Sequence, residues 1–424
     1  MIIFFVGFLI AVQMLNKKVL KSEYKVLNPV TVLVMTWCMV YIFHSAYYGV
    51  HSYTFTAYVI IAVSILAFST TFWFMSNKTI VIKRHKKIDN SVAISYNPVY
   101  LKKMLYTFSF IEVIRVVYYC IYIIGIISGS FSFFWNNSTQ VRIWYMHANP
   151  SFAQNVFEFS MNSLSMIGQV ILGVYIAKGN KRKKTFLLFW GSLELICAIV
   201  TMSKMSFIIF IMVVAITYLN NLNDLKRQRR SIQRIIPFIS VVIVVFLIFI
   251  GYQRDYMVQG NLNDMVFNKT IDYFAGPTEA LGIWISRNSS PLTMGASTFS
   301  FIEGIFQTLG ITTVDISIYS SGFIDIGRTS TNVFTWLLPF YKDFSYLGFV
   351  IMPSVIGMIA GGLYNQAKHT LFIDTCNAWI SALLAMSFFD FMWSQTIYVF
   401  VLFLALFIHK KYGRVMYLIE ETSD

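Results

Sequence analysis

The stretch 53-YTFTAYVIIAVSILAFSTTFWFM-75 contains no charged residue. A helix needs about 20 mostly apolar residues to cross the hydrocarbon core of a bilayer, and this stretch is long enough. Similar apolar runs recur along most of the 424-residue chain, which is 57% hydrophobic and only 12% charged. The core of a soluble protein does not need so many apolar residues. The sequence therefore predicts an all-α polytopic membrane protein.

About eleven segments, with a range of about 10 to 12, are long and apolar enough to be spanning helices. They are 1-16, 28-48, 53-75, 104-127, 156-177, 185-201, 206-222, 236-252, 345-365, 372-388 and 393-409. The least certain segments are the pairs 185-222 and 372-409, each of which reads either as one long helix or as a hairpin of two. Glycines in 361-GGLYNQAK-368 are expected to allow close helix packing. We treat 1-424 as a single integral membrane domain.

Basic residues set the expected orientation. The clusters 83-KRHKK-87, 181-KRKK-184 and 226-KRQRR-230 all lie between candidate helices. If the N-terminus is outside and the C-terminus inside, the cytoplasmic segments hold 25 of the 33 lysine and arginine residues. The positive-inside rule predicts this asymmetry, provided that both doubtful pairs are hairpins. The net charge of +14 therefore indicates contact with membrane lipids rather than with nucleic acid.

This orientation leaves two large external, periplasmic segments, 128-155 and 253-344. The second is rich in aromatic residues, and we expect it to be partly helical. Binding and catalytic groups tend to lie where irregular polar backbone meets a helix bundle, so the functional site is expected in these segments. Lys342 and Asp343 stand side by side at the end of the second segment, as a charged pair at the membrane edge.

Arginines that remain on the external side are candidate ligands for phosphate groups. A guanidinium is a permanent cation whose fork of donors suits pyrophosphate oxygens. The arginines predicted to bind pyrophosphate are Arg142, Arg254, Arg287 and Arg328. Alternatively, each arginine pairs with a nearby acid such as Asp255, Asp325 or Glu303.

A catalytic base is predicted among three external residues. Asp343 is expected to act as the base or to orient an arginine such as Arg328. The alternative is that Asp343 only marks the water boundary of the helix that follows it. Glu279 follows 276-GPT-278, a sequence expected to break the chain and to cap a new helix that starts near Glu279. His147 is the alternative base, although a single loop histidine is often inert.

Three aromatic residues are candidates for stacking on sugar rings: Tyr273, Trp284 and Tyr341. The alternative is that they belong to the interfacial aromatic belt of a membrane protein. The external segments contain no DxD pair and no cluster of His and Cys, and the chain has no Walker loop, HExxH or GxSxG. We therefore expect no metal ion, no cofactor and no nucleotide hydrolysis.

The segment 332-NVFTWLLPFYKDFSYLGFVIMPSVIGMIAGGLY-364 resembles the C-terminal part of Wzy-type O-antigen polymerases, the oligosaccharide repeat unit polymerases. The family's pattern falls here on Asn332, Tyr341, Asp343, Phe344, Gly348 and Gly357. The layout of the helices, the two enlarged external segments and a turn at 201-TMSK-204 are also similar. The paired Arg-x10-Gly motif of some members is absent, so arginine roles are not carried over from it.

The resemblance implies an architecture like that of GT-C glycosyltransferases and a location in the bacterial inner membrane. It implies transfer of a growing glycan from its polyprenyl pyrophosphate carrier to a new lipid-linked repeat unit, with a chain-length regulator protein as partner. The alternatives are an O-antigen ligase and a non-enzymatic lipid-linked oligosaccharide flippase. A flippase is expected to have many charged residues along its helices. Few are found here: Glu112, Arg115, Glu158 and Glu194.

Overall fold

Helices dominate the structure, which is a computed structural model. It describes residues 2–20, 27–48, 52–85, 93–148, 151–178, 182–222, 226–234, 262–287, 292–308, 311, 322–327, 330–364, 370–390, 392 and 395–420. The helices are α1 (Ile2–Leu20), α2 (Pro29–Tyr47), α3 (Ser52–His85), α4 (Pro98–Tyr119), α5 (Phe131–Asn136), α6 (Ser138–His147), α7 (Phe152–Ala177), α8 (Lys183–Thr201), α9 (Lys204–Asn220), α10 (described over 226–234), α11 (Leu262–Arg287), α12 (Ser300–Thr308), α13 (Leu338–Phe344), α14 (Gly348–Tyr364), α15 (Leu371–Ala385) and α16 (Thr396–Met416). A π-helix (Cys120–Ile127) continues α4, and a 3₁₀ turn (Ser345–Leu347) joins α13 to α14.

Four short strands form two small antiparallel sheets in the described residues. β1 (Ala93–Tyr96) pairs with β4 (Tyr417–Glu420), and β2 (Ile324–Asp325) pairs with β3 (Ser330–Thr331). The first sheet joins the chain just before α4 to the chain just after α16. The sequence did not predict these strands, because two to four residues are too few to show a periodic pattern.

Six of the described helical segments are long and apolar enough to cross a membrane: Thr54–Asn77, Pro98–Ile127, Phe152–Ala177, Lys183–Thr201, Leu338–Tyr364 and Thr396–Gly413. Three shorter apolar helices accompany them: Pro29–Ser45, Met205–Asn220 and Leu371–Ala385. A helical membrane protein with several spans is therefore confirmed. The number of spans and the orientation stay predictions, and the candidate span 236-252 lies outside the described residues.

Both doubtful pairs consist of two separate helices. Between α8 and α9, Met202 adopts a left-handed conformation with φ of 52°, which turns the chain at 201-TMSK-204 as expected. The second pair is likewise two helices, since α15 ends at Ala385 and α16 begins at Thr396. By contrast, α3 continues to His85, well past the expected end at residue 75.

The helices α3 and α14 pack in parallel along much of their length. The hydroxyl of Ser64 donates a hydrogen bond of 2.9 Å to the carbonyl oxygen of Phe349. A Cβ atom on Gly361 would come within 2.4 Å of the carbonyl oxygen of Phe72, so only glycine fits there. Close approach of backbones at small residues stabilises helix pairs in membranes. The expected packing role of the glycine at 361 is thus confirmed.

The helix α11 runs without a break over Leu262–Arg287, with Pro277 inside it. The prediction that 276-GPT-278 breaks the chain and caps a helix near Glu279 is therefore wrong. Proline removes one backbone hydrogen bond and crowds the preceding turn, but a helix tolerates it where neighbouring helices hold both halves. Here α11 packs against both α2 and α3. Glu279 consequently lies in the interior of a long helix.

The two predicted external segments contain short helices. Within 128-155, Ser130 accepts a hydrogen bond of 3.2 Å from the N–H of Phe133 and so caps α5. Ser151 and Gln154 form a reciprocal cap at the start of α7. Within 253-344 the described residues form α11, α12, the β2–β3 pair and α13, which agrees with a partly helical segment.

Candidate functional site

A buried histidine and a buried glutamate meet between three helices. The Oε1 atom of Glu279 on α11 lies 2.6 Å from Nε2 of His44, near the end of α2. The same oxygen accepts a hydrogen bond of 2.9 Å from the hydroxyl of Thr54 at the start of α3. Both side chains of the pair are only 1% exposed. Ionisable groups are rarely buried unless they are paired or functional, so this His–Glu pair is the centre of the candidate site.

Small residues on α11 allow it to approach α2 closely. Ala275 and Ala280 are fully buried on either side of Pro277. A Cβ atom on Gly276 would lie 3.0 Å from the side chain of Ile326 and 3.9 Å from the hydroxyl of Tyr48. The small residues therefore leave room for Ile326 and Tyr48 beside the part of α11 that carries Glu279.

A second polar contact lies two helical turns before Glu279 on α11. There Asp272 accepts a hydrogen bond from the hydroxyl of Tyr48, which follows the end of α2. The rings of Tyr48 and His44 are stacked, with 5.4 Å between centroids. A carboxylate only accepts hydrogen bonds, so the Tyr48 phenol is the donor. Tyr48 and Asp272 are half-buried, unlike the His–Glu pair.

Buried polar atoms without a hydrogen-bond partner gather around the His–Glu pair. In the described part of the chain they are the Tyr41 hydroxyl and His44 Nδ1, whereas the hydroxyls of Tyr58 and Thr278 lie against each other. The ring centroid of Tyr58 lies 4.7 Å from that of Tyr41 and 5.4 Å from that of His44. Leaving a buried polar group unpaired costs about 1–3 kcal/mol. A buried water molecule or a polar ligand would satisfy such atoms.

The hydrogen bond to Glu279 defines which imidazole nitrogen is free. A carboxylate only accepts hydrogen bonds, so Nε2 of His44 carries the hydrogen atom. In the neutral imidazole the Nδ1 atom then has a lone pair and, within the described residues, no hydrogen-bond partner. An imidazole whose one nitrogen is held by a carboxylate can accept a proton on the other nitrogen. The geometry of the His–Glu pair therefore fits a general base.

The residues predicted to stack on sugars lie in different surroundings. Their ring contacts are Tyr273 with Phe389, Trp284 with Phe334, and Tyr341 with Phe349. Each of the three predicted residues is partly exposed. The Nζ atom of Lys342 lies 5.3 Å from the ring centroid of Trp284, so a cation already faces that ring. A common sugar site formed by the three residues stays a prediction.

Asp343 is fully buried and organises the backbone of a neighbouring loop. Its carboxylate accepts three hydrogen bonds, from the N–H of Ser297 at 3.0 Å, the N–H of Thr298 at 2.6 Å and the hydroxyl of Thr293. The carbonyl oxygen of Lys342 also accepts from the N–H of Thr293, at 2.9 Å. We call residues 293–298 the clamped loop. The alternative that Asp343 only marks the water boundary of the next helix is wrong, because its side chain is fully buried and these donors stabilise its charge. Its predicted role as a base stays a prediction.

In the part of the chain that the structure describes, the predicted phosphate-binding arginines do not form a common site. Arg142 on α6 donates a hydrogen bond to the carbonyl oxygen of Met202, in the turn between α8 and α9. The candidate base His147 is exposed at the end of α6, and Arg287 is exposed at the end of α11. Two arginines lie outside the described residues: Arg254 and Arg328. Their predicted roles, and those of Arg142, Arg287 and His147, stay predictions.

The sequence analysis missed the polar residues of α2 and α3 that contact α11. His44, Tyr48 and Thr54 fall in or beside the apolar runs 28-48 and 53-75, not in the large external segments. The available signal was the stretch 44-HSAYYGVHSYT-54, in which polar residues interrupt two apolar runs at their predicted external ends. Polar residues within membrane helices are functional candidates in their own right.

Possible metal ligands do not cluster in the described residues, where no group of three or more His, Cys, Asp or Glu side chains could hold an ion.

Comparison with protein-family models, with curated proteins and with solved structures gives no match for this chain. The function is therefore inferred from the geometry of the site and from the resemblance at 332-364.

Proposed function

We propose that this protein is a membrane glycosyltransferase that polymerises polyprenyl-pyrophosphate-linked oligosaccharide repeat units of the O-antigen type. It would act at the outer leaflet of the bacterial inner membrane. The observation that supports catalysis is the His–Glu pair, in which Glu279 holds Nε2 of His44 and Nδ1 has no partner within the described residues. The pair lies near helix ends that the basic residues predict to be external. The substrate class comes from the resemblance at 332-364.

In the proposed reaction, the acceptor hydroxyl of a new repeat unit loses its proton to Nδ1 of His44. Its oxygen forms a bond to the anomeric carbon of the growing glycan, and the bond from that carbon to the pyrophosphate oxygen breaks. The bonding electron pair leaves with polyprenyl pyrophosphate. Glu279 stabilises the imidazolium that forms. Arginines can stabilise the leaving charge, and Arg287 lies at the end of the helix that carries Glu279.

Access to the buried imidazole is proposed to occur on the side of Tyr48. Its ring stacks on His44, and both Tyr48 and its partner Asp272 are half-buried. Movement of the Tyr48 ring would uncover the imidazole for an acceptor sugar. The partly exposed ring of Tyr273, next to Asp272, then offers a surface on which that sugar can stack.

The test is complementation of a strain that lacks the protein, with the length of the surface glycan as the readout. Glu279→Gln keeps the size of the side chain and removes its charge. Loss of general base catalysis slows a reaction by about 10²–10⁴-fold, so we expect single repeat units on the core instead of a ladder. Glu303→Gln, in α12, is the matched control and should give a normal ladder. A normal ladder from well-expressed Glu279→Gln would refute the proposal.

The same strains separate the related functions. Loss of a ligase leaves no repeat units on the core, and loss of a flippase makes them accumulate inside the cell. His44→Gln is the second variant, because the pair is buried and either change could weaken folding. If the pair is only structural, both variants lower the amount of folded protein but leave the activity per folded molecule unchanged.

A further inference from the structure

Three charged residues meet inside the bundle formed by α4, α7 and α8, on helices other than those of the His–Glu pair. The guanidinium of Arg115 on α4 lies 2.6 Å from Glu112, one turn earlier, and 2.7 Å from Glu194 on α8. Their side chains are 6%, 0% and 1% exposed, respectively. We call these residues the charge cluster. The sequence showed them only as isolated charges in apolar runs.

The charge cluster is not electrically balanced when all its members are ionised. Two carboxylates face one guanidinium, and the described residues supply no second cation to either carboxylate. The remaining contacts are neutral, from Asn162, Ser165 and Gln169 on α7. An uncompensated charge in a low-dielectric interior is destabilising, and a bound proton removes it.

The surroundings of Glu194 provide a place for that proton. Its Oε1 atom accepts hydrogen bonds from the amide nitrogen of Gln169 at 2.7 Å and from the hydroxyl of Ser165 at 3.3 Å. The amide oxygen of Gln169 is buried and has no hydrogen-bond partner in the described residues. A half-turn of the amide group brings this oxygen against Glu194, where it can accept a hydrogen bond from the protonated acid. Both protonation states of Glu194 can thus be hydrogen-bonded.

We propose that the charge cluster is a proton-binding site within the membrane domain, with one exchangeable proton held mainly at Glu194. In the binding step a proton from water forms a bond to a carboxylate oxygen, and no other bond breaks. The cluster then carries no net charge. This proposal does not depend on the transferase proposal, because it concerns different helices and a different measurement.

A line of polar groups runs from the charge cluster toward the predicted external end of α7. Asn162 accepts from Arg115 at 3.2 Å and donates to the hydroxyl of Tyr119 at 2.8 Å. One turn earlier, Glu158 accepts from the hydroxyls of Tyr118 at 2.8 Å and Tyr145 at 3.4 Å. The α7 residues are spaced by three or four positions and therefore share one face of the helix. The ionisable groups that face the cluster or this line are Glu112, Arg115, Tyr118, Tyr119, Tyr145, Glu158, Glu194 and Cys197.

The test is infrared difference spectroscopy of the full-length protein in lipid nanodiscs, between acidic and alkaline buffer. The C=O stretch of a protonated carboxylic acid absorbs at a higher frequency than the amide I band, and this absorption disappears when the acid ionises. We expect wild-type protein to lose such a band as pH rises, and Glu194→Gln to lack it. Asp325→Asn removes an exposed carboxylate and is the control, so its spectrum should retain the band.

A second variant keeps the test informative if Glu194→Gln folds poorly. Gln169→Leu retains both carboxylates and the guanidinium, and we expect it to shift the frequency of the band, because the acid loses its hydrogen-bond acceptor. The proposal is overturned if Glu194→Gln and Glu112→Gln both retain the wild-type band. It is also overturned if sodium ions at constant pH abolish the band, since the site would then bind a metal cation.

Discussion

Replacement of Asp343 by asparagine should release the clamped loop. The carboxylate accepts hydrogen bonds from Ser297, Thr298 and Thr293. Asparagine has the same shape but only one acceptor oxygen, and its NH₂ group must face one of the buried N–H donors. A hydrogen bond to a charged group contributes about 1.5–3 kcal/mol, and an unpaired buried N–H costs about 1–3 kcal/mol. We therefore expect Asp343→Asn to favour the released loop by about 3 kcal/mol.

Hydrogen exchange measured by mass spectrometry tests this directly. A change of about 3 kcal/mol corresponds to a roughly 100-fold larger population of the released loop. The backbone amides of Ser297 and Thr298 should exchange faster by about the same factor, while amides in the middle of α14 keep their rates. If the clamped loop also helps to hold the substrate, Asp343→Asn should limit the glycan to a few repeats at wild-type protein levels.

Lys342→Gln is the matched control for Asp343→Asn. The side chain of Lys342 lies over Trp284, a contact that contributes about 0.5–1 kcal/mol at an exposed site. Its carbonyl oxygen still accepts from Thr293 after the substitution, because that bond involves only the backbone. We expect nearly unchanged exchange and a near-normal glycan ladder. If Ser297 and Thr298 exchange at the wild-type rate in both variants, Asp343 does not hold the clamped loop in place.

Three further predictions concern orientation, metal and helix packing. A tag at Lys183 should report the cytoplasm and a tag at Asn137 the exterior, and the reverse result would overturn the orientation drawn from the basic clusters. Polymerisation by purified protein should survive EDTA, and loss of activity that only a divalent ion restores would refute this. Gly361→Ala should lower the melting temperature, because its Cβ atom would meet the carbonyl of Phe72 at 2.4 Å and overpacking costs about 1–3 kcal/mol. Gly362→Ala should not, since its nearest neighbour would lie at 3.8 Å.

The candidate site was predictable only in part. Glu279 stood out as an acid in an external segment, and the structure buries it at the centre of a polar contact. The reason given for it, a helix start at 276-GPT-278, was wrong, because packing against α2 and α3 keeps α11 intact through Pro277. Asp343 also stood out, but the sequence did not show that its partners are the backbone N–H groups of the clamped loop. Local sequence does not reveal which distant backbone turns toward a charge.

That this chain is a helical membrane protein with several spans follows from its amino-acid sequence alone. A bilayer requires long apolar runs with internally satisfied backbone groups, and both properties are local. The separation of α8 from α9 also followed from local features, the charges and the turn at 201-TMSK-204. Which polar residues meet, by contrast, depends on how the helices pack. His44 contacts Glu279 across 235 positions, and Arg115 contacts Glu194 across 79. Such contacts depend on which helices become neighbours in the bundle, and the periodicity of a single apolar run carries no information about its neighbours.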